Sequence, residues 1–111
     1  MRLSSNIKNI DCINKIDITV EYIEKTWKSF ILCKFDDGMK YFGKIMIELD
    51  EIILYISNIN SESNINLKIK KILKILQELE KTIIIKDYVC SADLLKYEIE
   101  PILKEWKNFK K

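Results

Sequence analysis

The chain has 111 residues, which is the size of one domain with its own hydrophobic core. Hydrophobic residues make up 48% of it, a fraction that argues against intrinsic disorder. Two glycines and one proline are too few for the many turns of a β-sandwich or β-barrel. The net charge of +2 does not by itself predict a nucleic-acid or membrane partner. Composition therefore favours a single all-α domain over residues 1–111.

The cysteine and histidine content limits the cellular compartment and the kinds of disulfide or metal site that we expect. The three cysteines, Cys12, Cys33 and Cys90, are widely spaced and odd in number, and the chain has no histidine. A disulfide framework and a structural zinc site are both excluded on these counts. We expect a reducing, cytoplasmic setting, without a signal peptide and without a membrane-spanning segment.

The first half of the chain predicts two helices. We expect residues 1–11 to form a loose arm, followed by a helix over 12–35 and a second over 37–58. Gly38 is expected to end the first helix, and Asp36 or Asp37 to cap the second. Apolar residues at steps of three and four mark the two core faces. On the first they are Ile13, Ile16, Val20, Ile23, Trp27, Phe30 and Ile31; on the second they are Met39, Phe42, Ile45, Met46, Leu49, Ile52, Ile53 and Ile56.

The second half predicts two more helices after a polar loop at 57–64. The first covers 65–85, and the second covers 87–108 with Asp87 as its N-cap. One long bent helix over both ranges is the alternative. Pro101 removes one intrahelical hydrogen bond, so we expect a kink there. Short connections make neighbouring helices antiparallel, and the predicted fold is an up-down bundle of about four helices.

One carboxylate pair raises the possibility of a metal enzyme. Glu48 and Glu51 lie three apart on one helix face, a spacing that can bind Mg²⁺. Helical nucleotide pyrophosphatases of the MazG type begin their metal site with the same E-x-x-E. They also require an E-x-x-D on a following helix, which this chain lacks. The pair is more simply a solvated face, and we expect no metal, no cofactor and no catalytic residue.

Lysine clusters are the candidates for nucleic-acid binding, and they are Lys68, Lys70, Lys71, Lys74, Lys104, Lys107, Lys110 and Lys111. Base recognition and bidentate phosphate recognition favour arginine, and the chain has one, Arg2. A solvated helix face is the simpler interpretation, and we expect no nucleic-acid partner.

A second apolar stripe on the predicted helix 37–58 is the candidate binding surface. Gly43, Ile47 and Leu54 lie beside the core face, and Asp50 borders them. Gly43 would allow another backbone to approach closely. Because this helix is also the most acidic segment, a partner is expected to present lysine or arginine at the rim. The alternative is that the helix is central and buried on two sides.

The C-terminal part resembles a known pattern. Residues 93–106 read D-L-L-x-Y-E-x-x-P-x-L-x-x-W, like the C-terminal signature of small, uncharacterised bacterial helical proteins. Chain length, helical layout and the amphipathic last helix are also similar to flagellar export chaperones, which are bundles that hold a helical segment of a partner. This likeness implies a bundle and a protein partner, and it assigns no binding residue.

Three functions remain open at this point. The first is a non-catalytic interaction protein, chaperone-like or adaptor-like, that offers a helical apolar surface to a protein partner. The second is a structural homodimer whose spare apolar stripe is self-complementary. The third is a divergent metal-dependent nucleotide pyrophosphatase.

Overall fold

The fold is a bundle of four helices. A computed structural model describes residues 2–59 and 63–107, with side chains over 11–58 and 66–107. The first three helices are α1 (Arg2–Ile31), α2 (Phe35–Ile59) and α3 (Ser63–Ile84). The fourth, called the C-terminal helix below, joins α4 (Tyr88–Asp93), a π-helical segment (Leu94–Ile99) and α5 (Glu100–Lys107) without a break. The described ranges contain no strand, and the all-α prediction is confirmed.

Ion pairs between helices show that neighbours run antiparallel. Lys15, in the first half of α1, lies 2.6 Å from Glu51, in the second half of α2. Lys68, near the start of α3, lies 2.6 Å from Glu105, near the end of the C-terminal helix. This is the up-down arrangement that the short connections predict. No helix in the described ranges is both long and apolar enough to cross a membrane.

The buried face of α1 differs from the predicted one. Its buried residues recur at alternating steps of four and three, and they are Cys12, Ile16, Thr19, Ile23, Thr26 and Phe30. Ile31 is exposed, and Trp27 and Val20 are half-buried. Threonine can enter a helical core because its hydroxyl can bond the backbone one turn back. The Thr19 hydroxyl donates to the Lys15 carbonyl in this way, at 2.6 Å.

The predicted loose arm is wrong, because α1 already begins at Arg2. Residues 1–11 contain neither glycine nor proline. Once a helix is nucleated, each further residue adds one hydrogen bond, so the helix extends until a breaker stops it. Ser4 and Asn6 are weak helix formers, but they do not prevent this extension.

Cys33, rather than Gly38, ends the first helix. Cys33 has φ of 61°, a left-handed conformation that glycine usually adopts. The Lys34 N–H donates to the Ser29 carbonyl at 2.7 Å, and the Cys33 N–H donates to the Phe30 carbonyl at 3.1 Å. These two bonds form a Schellman motif that satisfies the last carbonyls of α1. Both the predicted end at residue 35 and the role of Gly38 as a turn residue are therefore wrong.

Gly38 instead lies inside α2, where it makes room for an aromatic ring. A Cβ atom added to Gly38 would overlap Cε1 of the Phe30 ring. The Phe30 ring also packs on Tyr88 at 5.0 Å between centroids, and Tyr88 stacks on Phe35 at 4.4 Å. Because α2 starts at Phe35, Asp36 lies in its first turn. There its negative carboxylate interacts favourably with the positive end of the helix dipole.

The second turn, between α3 and the C-terminal helix, repeats this design. Lys86 has φ of 61°, and the Asp87 N–H donates to the Thr82 carbonyl at 2.8 Å. The Asp87 carboxylate accepts from the Cys90 N–H at 3.1 Å, which confirms the predicted cap. Beneath the turn, the buried hydroxyls of Thr82 and Ser91 are 2.7 Å apart. The two helices are separate, and the single bent helix is excluded.

The irregularity expected near Pro101 takes the form of a π-helical turn. The segment Leu94–Ile99 directly precedes α5, and the Glu100 N–H donates to the carbonyl of Leu95, five residues back. Proline lacks an N–H, and its ring collides with the carbonyl four residues earlier in a regular α-helix. A wider turn at this point relieves that collision without ending the helix.

The two glycines of α2 provide a matched test of this packing. Gly38→Ala should lower the free energy of unfolding by about 1–3 kcal/mol, because the new methyl group collides with the Phe30 ring. Gly43→Ala meets no atom within 4 Å. It should be neutral or stabilise by up to ~1 kcal/mol, since alanine favours the helix. Urea denaturation of both variants is the measurement, and equal losses would contradict the packing described for Gly38.

The left-handed Cys33 gives a second stability prediction. Cys33→Gly should raise the free energy of unfolding by ~0.5–1 kcal/mol, because glycine adopts positive φ without the steric cost paid by other residues. Cys33→Ala is the control, since it removes the thiol and keeps the strain. Thermal melts that rank the two variants equally would show that φ at this position carries no cost.

Candidate functional site

The predicted strip on α2 lies on the surface of the bundle. Ile47 and Leu54 expose 61% and 63% of their area, and Gly43 and Asp50 are also exposed. Apart from its chain neighbours and the backbone of its own helix, no atom lies within 4 Å of the Cβ position of Gly43. The alternative in which α2 is buried on two sides is therefore wrong. These four residues, called the α2 strip below, occupy steps of four, three and four along one helix edge.

A groove of about 520 Å³ runs beside the α2 strip, between α2 and α3. It is open to solvent, and buried Leu49 and Leu79 form part of its lining. The other apolar residues of its walls are Phe42, Met46 and Ile53 from α2 and Leu73, Leu76, Ile83 and Ile84 from α3. The groove is thus an open surface groove with mainly apolar walls, formed by two antiparallel helices.

The groove exists because α2 and α3 pack mainly against other helices. α2 packs along α1, whereas α3 packs against the C-terminal helix, and the contact between α2 and α3 themselves is slight. Side chains on the facing edges of α2 and α3 therefore meet only at the floor of the seam. This leaves apolar walls that no other element of the described chain covers.

The groove and the α2 strip form one continuous apolar surface. Ile47 and Leu54 each follow a groove residue, Met46 and Ile53, and continue the surface around α2 into solvent. On the opposite wall, Leu73 exposes 46% of its area. Adjoining exposed apolar areas of this kind are typical of an interaction site.

Two carboxylates, from Asp50 and Glu80, are the charged groups of the groove lining. Both residues are exposed, and Asp50 belongs to the groove and to the α2 strip at once. The wall chemistry is therefore apolar with a local negative charge, which suits the binding of an apolar and partly cationic surface.

The E-x-x-E pair of α2 is occupied by a lysine. The Lys15 ammonium lies 2.6 Å from a carboxylate oxygen of Glu51 and 3.4 Å from one of Glu48. The hydrogen bond that Lys15 donates to Glu51 and the charge of Glu48 raise the pKa of Lys15. Within the described ranges, no group of three or more cysteine, aspartate and glutamate residues could hold a metal ion. The carboxylates that resemble a magnesium site serve here to join α1 to α2.

Several of the lysines considered for nucleic-acid binding are engaged in ion pairs. Lys68 pairs with Glu105, Lys104 with Glu100 at 2.9 Å, and Lys107 with Asp17 at 2.7 Å. Lys110 and Lys111 lie outside the described residues. These pairs tie the lysines to the bundle's own carboxylates.

Lys96 forms a further link between α1 and the C-terminal helix. Its ammonium lies 2.6 Å from Glu24 and 4.9 Å from the centre of the Trp27 ring. The hydrogen bond from Lys96 lowers the pKa of Glu24. The pair therefore contributes stability above the normal pKa of a glutamate, and this contribution is lost as the pH falls through the lowered pKa.

A comparison with known families places the chain. The family described as Domain of unknown function (DUF8042) matches residues 10–109, nearly the whole chain. The chain belongs to this family. Comparison with curated proteins and with solved structures found no match. The DUF8042 match covers α1 from residue 10 onward and the other three helices, so both walls of the groove lie inside the matched region.

In this DUF8042 chain, sequence reasoning predicted the α2 strip beside the groove, of which Asp50 alone lines the groove, and it assigned the apolar wall residues of α2 to the core. On α3, the helical spacing of Leu73, Leu76 and Ile83 likewise predicts a core face, yet these residues line the groove. A usable signal was present, because apolar residues on α3 occupy adjacent positions 72–73 and 83–84. Such doubling widens the apolar arc beyond what one packed neighbour can cover.

The three cysteines should differ sharply in reactivity. Burial raises the pKa of the Cys12 thiol to about 11, and the nearby Lys15 charge opposes this only in part. At pH 8 we expect Cys33, which is exposed, to react first with a thiol reagent, and Cys12 to react only on unfolding. The fast phase should vanish in Cys33→Ala. A fast phase that survives this change would contradict the exposure of Cys33.

Proposed function

We propose that this protein is a non-catalytic binding protein, chaperone-like or adaptor-like, that holds an amphipathic helix of a protein partner in the groove between α2 and α3. The observation that carries the proposal is the apolar groove, continuous with the exposed α2 strip. Covering this surface would remove apolar area from water, which is the main favourable term in protein association.

The shape of the groove favours a helix as its occupant. From Phe42 to Ile53, the α2 wall covers three turns, or about 16 Å along the axis. Helix-in-groove binding places apolar anchors at steps of three and four against such a wall. A third helix laid in the seam between two antiparallel helices also follows ordinary ridge-and-groove packing. The similarity in layout to flagellar export chaperones points in the same direction.

The charges of the groove favour a different protein over a second copy of this chain. If two copies packed groove against groove, Asp50 and Glu80 of both would meet in one apolar interface. Four carboxylates removed from water without cations would cost free energy. A foreign helix that carries lysine or arginine avoids this penalty. The free thiols of Cys12, Cys33 and Cys90 fit a reducing compartment, and we place this binding in the cytoplasm.

Binding of a designed helix tests the proposal. The probe is an 18-residue, hydrocarbon-stapled, fluorescein-labelled peptide with a leucine stripe and lysines along its edges. We expect it to bind with micromolar affinity in fluorescence anisotropy. Leu73→Asp and Ile47→Asp should each weaken this binding about tenfold or more, because each places a charge on the covered apolar surface.

Two controls make the result specific. Leu67→Asp introduces the same change on α3 at a residue that is exposed and does not line the groove, so its affinity should stay within about twofold of the wild type. Circular dichroism must show that each variant keeps its helical content. Equal affinity of the Leu73→Asp and Leu67→Asp variants would refute the groove as the binding site. A concentration-dependent dimer by analytical ultracentrifugation, abolished by Leu73→Asp, would favour the homodimer instead.

A further inference from the structure

Asp50 and Glu80 are the starting point of an inference about the partner's chemistry, which rests on the proposed function. Both carboxylates line the apolar groove, one from each wall. Neither takes part in an ion pair or side-chain hydrogen bond within the described ranges. Other acidic side chains of the bundle, such as Glu24, Glu51 and Glu105, are paired with lysines from neighbouring helices.

The neighbours of the two carboxylates on their own helices explain why they lack a cation. Residues three and four positions away are the ones that a helical side chain can reach. Around Asp50 these residues are Met46, Ile47, Ile53 and Leu54, and around Glu80 they are Leu76, Gln77, Ile83 and Ile84. None of the eight is cationic, although lysine is abundant elsewhere on α3. The side chains within reach on their own helices are therefore almost wholly apolar.

Covering the groove changes the energetics of these two groups. In the free protein, water solvates the exposed carboxylates. A bound helix displaces part of that water, and a charge that loses its water without gaining a partner is costly. A lysine or arginine on the bound helix removes the cost by pairing with the carboxylate. A neutral or acidic side chain at the same place does not.

We infer that Asp50 and Glu80 select the partner, so that the groove binds amphipathic helices whose apolar stripe is flanked or interrupted by lysine or arginine, and discriminates against neutral and acidic helices of equal hydrophobicity. The apolar walls supply the affinity, and the carboxylates supply the selection between helices. The partner is thus a basic amphipathic segment of another protein.

Three stapled peptides that share the same leucine stripe test this inference. They differ only at two positions that flank the stripe, which carry lysine, norleucine or glutamate. Wild-type protein should bind the lysine peptide at least tenfold more tightly than the glutamate peptide at low salt. This preference should weaken as sodium chloride rises to 0.5 M, because salt screens partly exposed pairs.

Variants in which the two carboxylates are neutralised test whether these residues cause the preference for the lysine peptide. In Asp50→Asn with Glu80→Gln, the preference for the lysine peptide should fall below about threefold, while the norleucine peptide should bind at least as tightly as before. Asp37→Asn with Glu78→Gln is the matched control: both residues are exposed, neither lines the groove, and the change in net charge is the same. This control should keep most of the preference.

The outcomes separate the two proposals. An unchanged preference in the Asp50 and Glu80 variant, or an equal loss in the control, would overturn the selection by these carboxylates and leave the groove as a general helix site. If no peptide binds the wild type, or if Leu73→Asp leaves the binding of all three unchanged, the proposed function itself fails and the inference falls with it.

Discussion

The position of α1 between α2 and the C-terminal helix is the constraint on which the rest of the structure depends. Its buried row, from Cys12 to Phe30, packs mainly on α2, and its ion pairs through Asp17 and Glu24 hold the C-terminal helix. α3 is then held chiefly by the C-terminal helix. With three of the four seams closed in this way, the fourth, between α2 and α3, stays partly open and becomes the groove.

Much of this fold follows from the sequence, because apolar periodicity alone marks the four helices. The errors share one physical cause, which is that a residue's role depends on what it meets in the folded chain. Gly38 is a residue type that is common in turns, but here it lies inside α2, where a larger side chain would collide with the Phe30 ring. Thr19 and Thr26 are polar residues, yet both are buried. The Thr19 hydroxyl donates a hydrogen bond to a backbone carbonyl. This shifts the buried face of α1 away from Trp27.

The candidate site was predictable only in part. The α2 strip stands out in sequence because Ile47 and Leu54 lie outside an already complete core arc. The α3 wall is marked only by its doubled apolar positions, since Leu73 and Leu76 fit one apolar face equally well whether that face is packed or open. Only the relative placement of α2 and α3 decides this, and it is a property of the assembled bundle. The same placement puts Asp50 and Glu80 on facing walls.

The π-helical turn before Pro101 sets the rotational phase of everything that follows it. Such a turn holds one residue more than an α-helical turn, so α5 is rotated by about 100° from where a regular helix would leave it. With the extra residue, Leu103 and Trp106 are buried in the core. In a chain of the same length, a regular α-helix at this point would rotate both side chains by about 100° away from this position, whereas a chain one residue shorter would keep their direction without the wider turn. The length of the chain between Asp93 and Pro101 is therefore as much a part of the core as the side chains themselves.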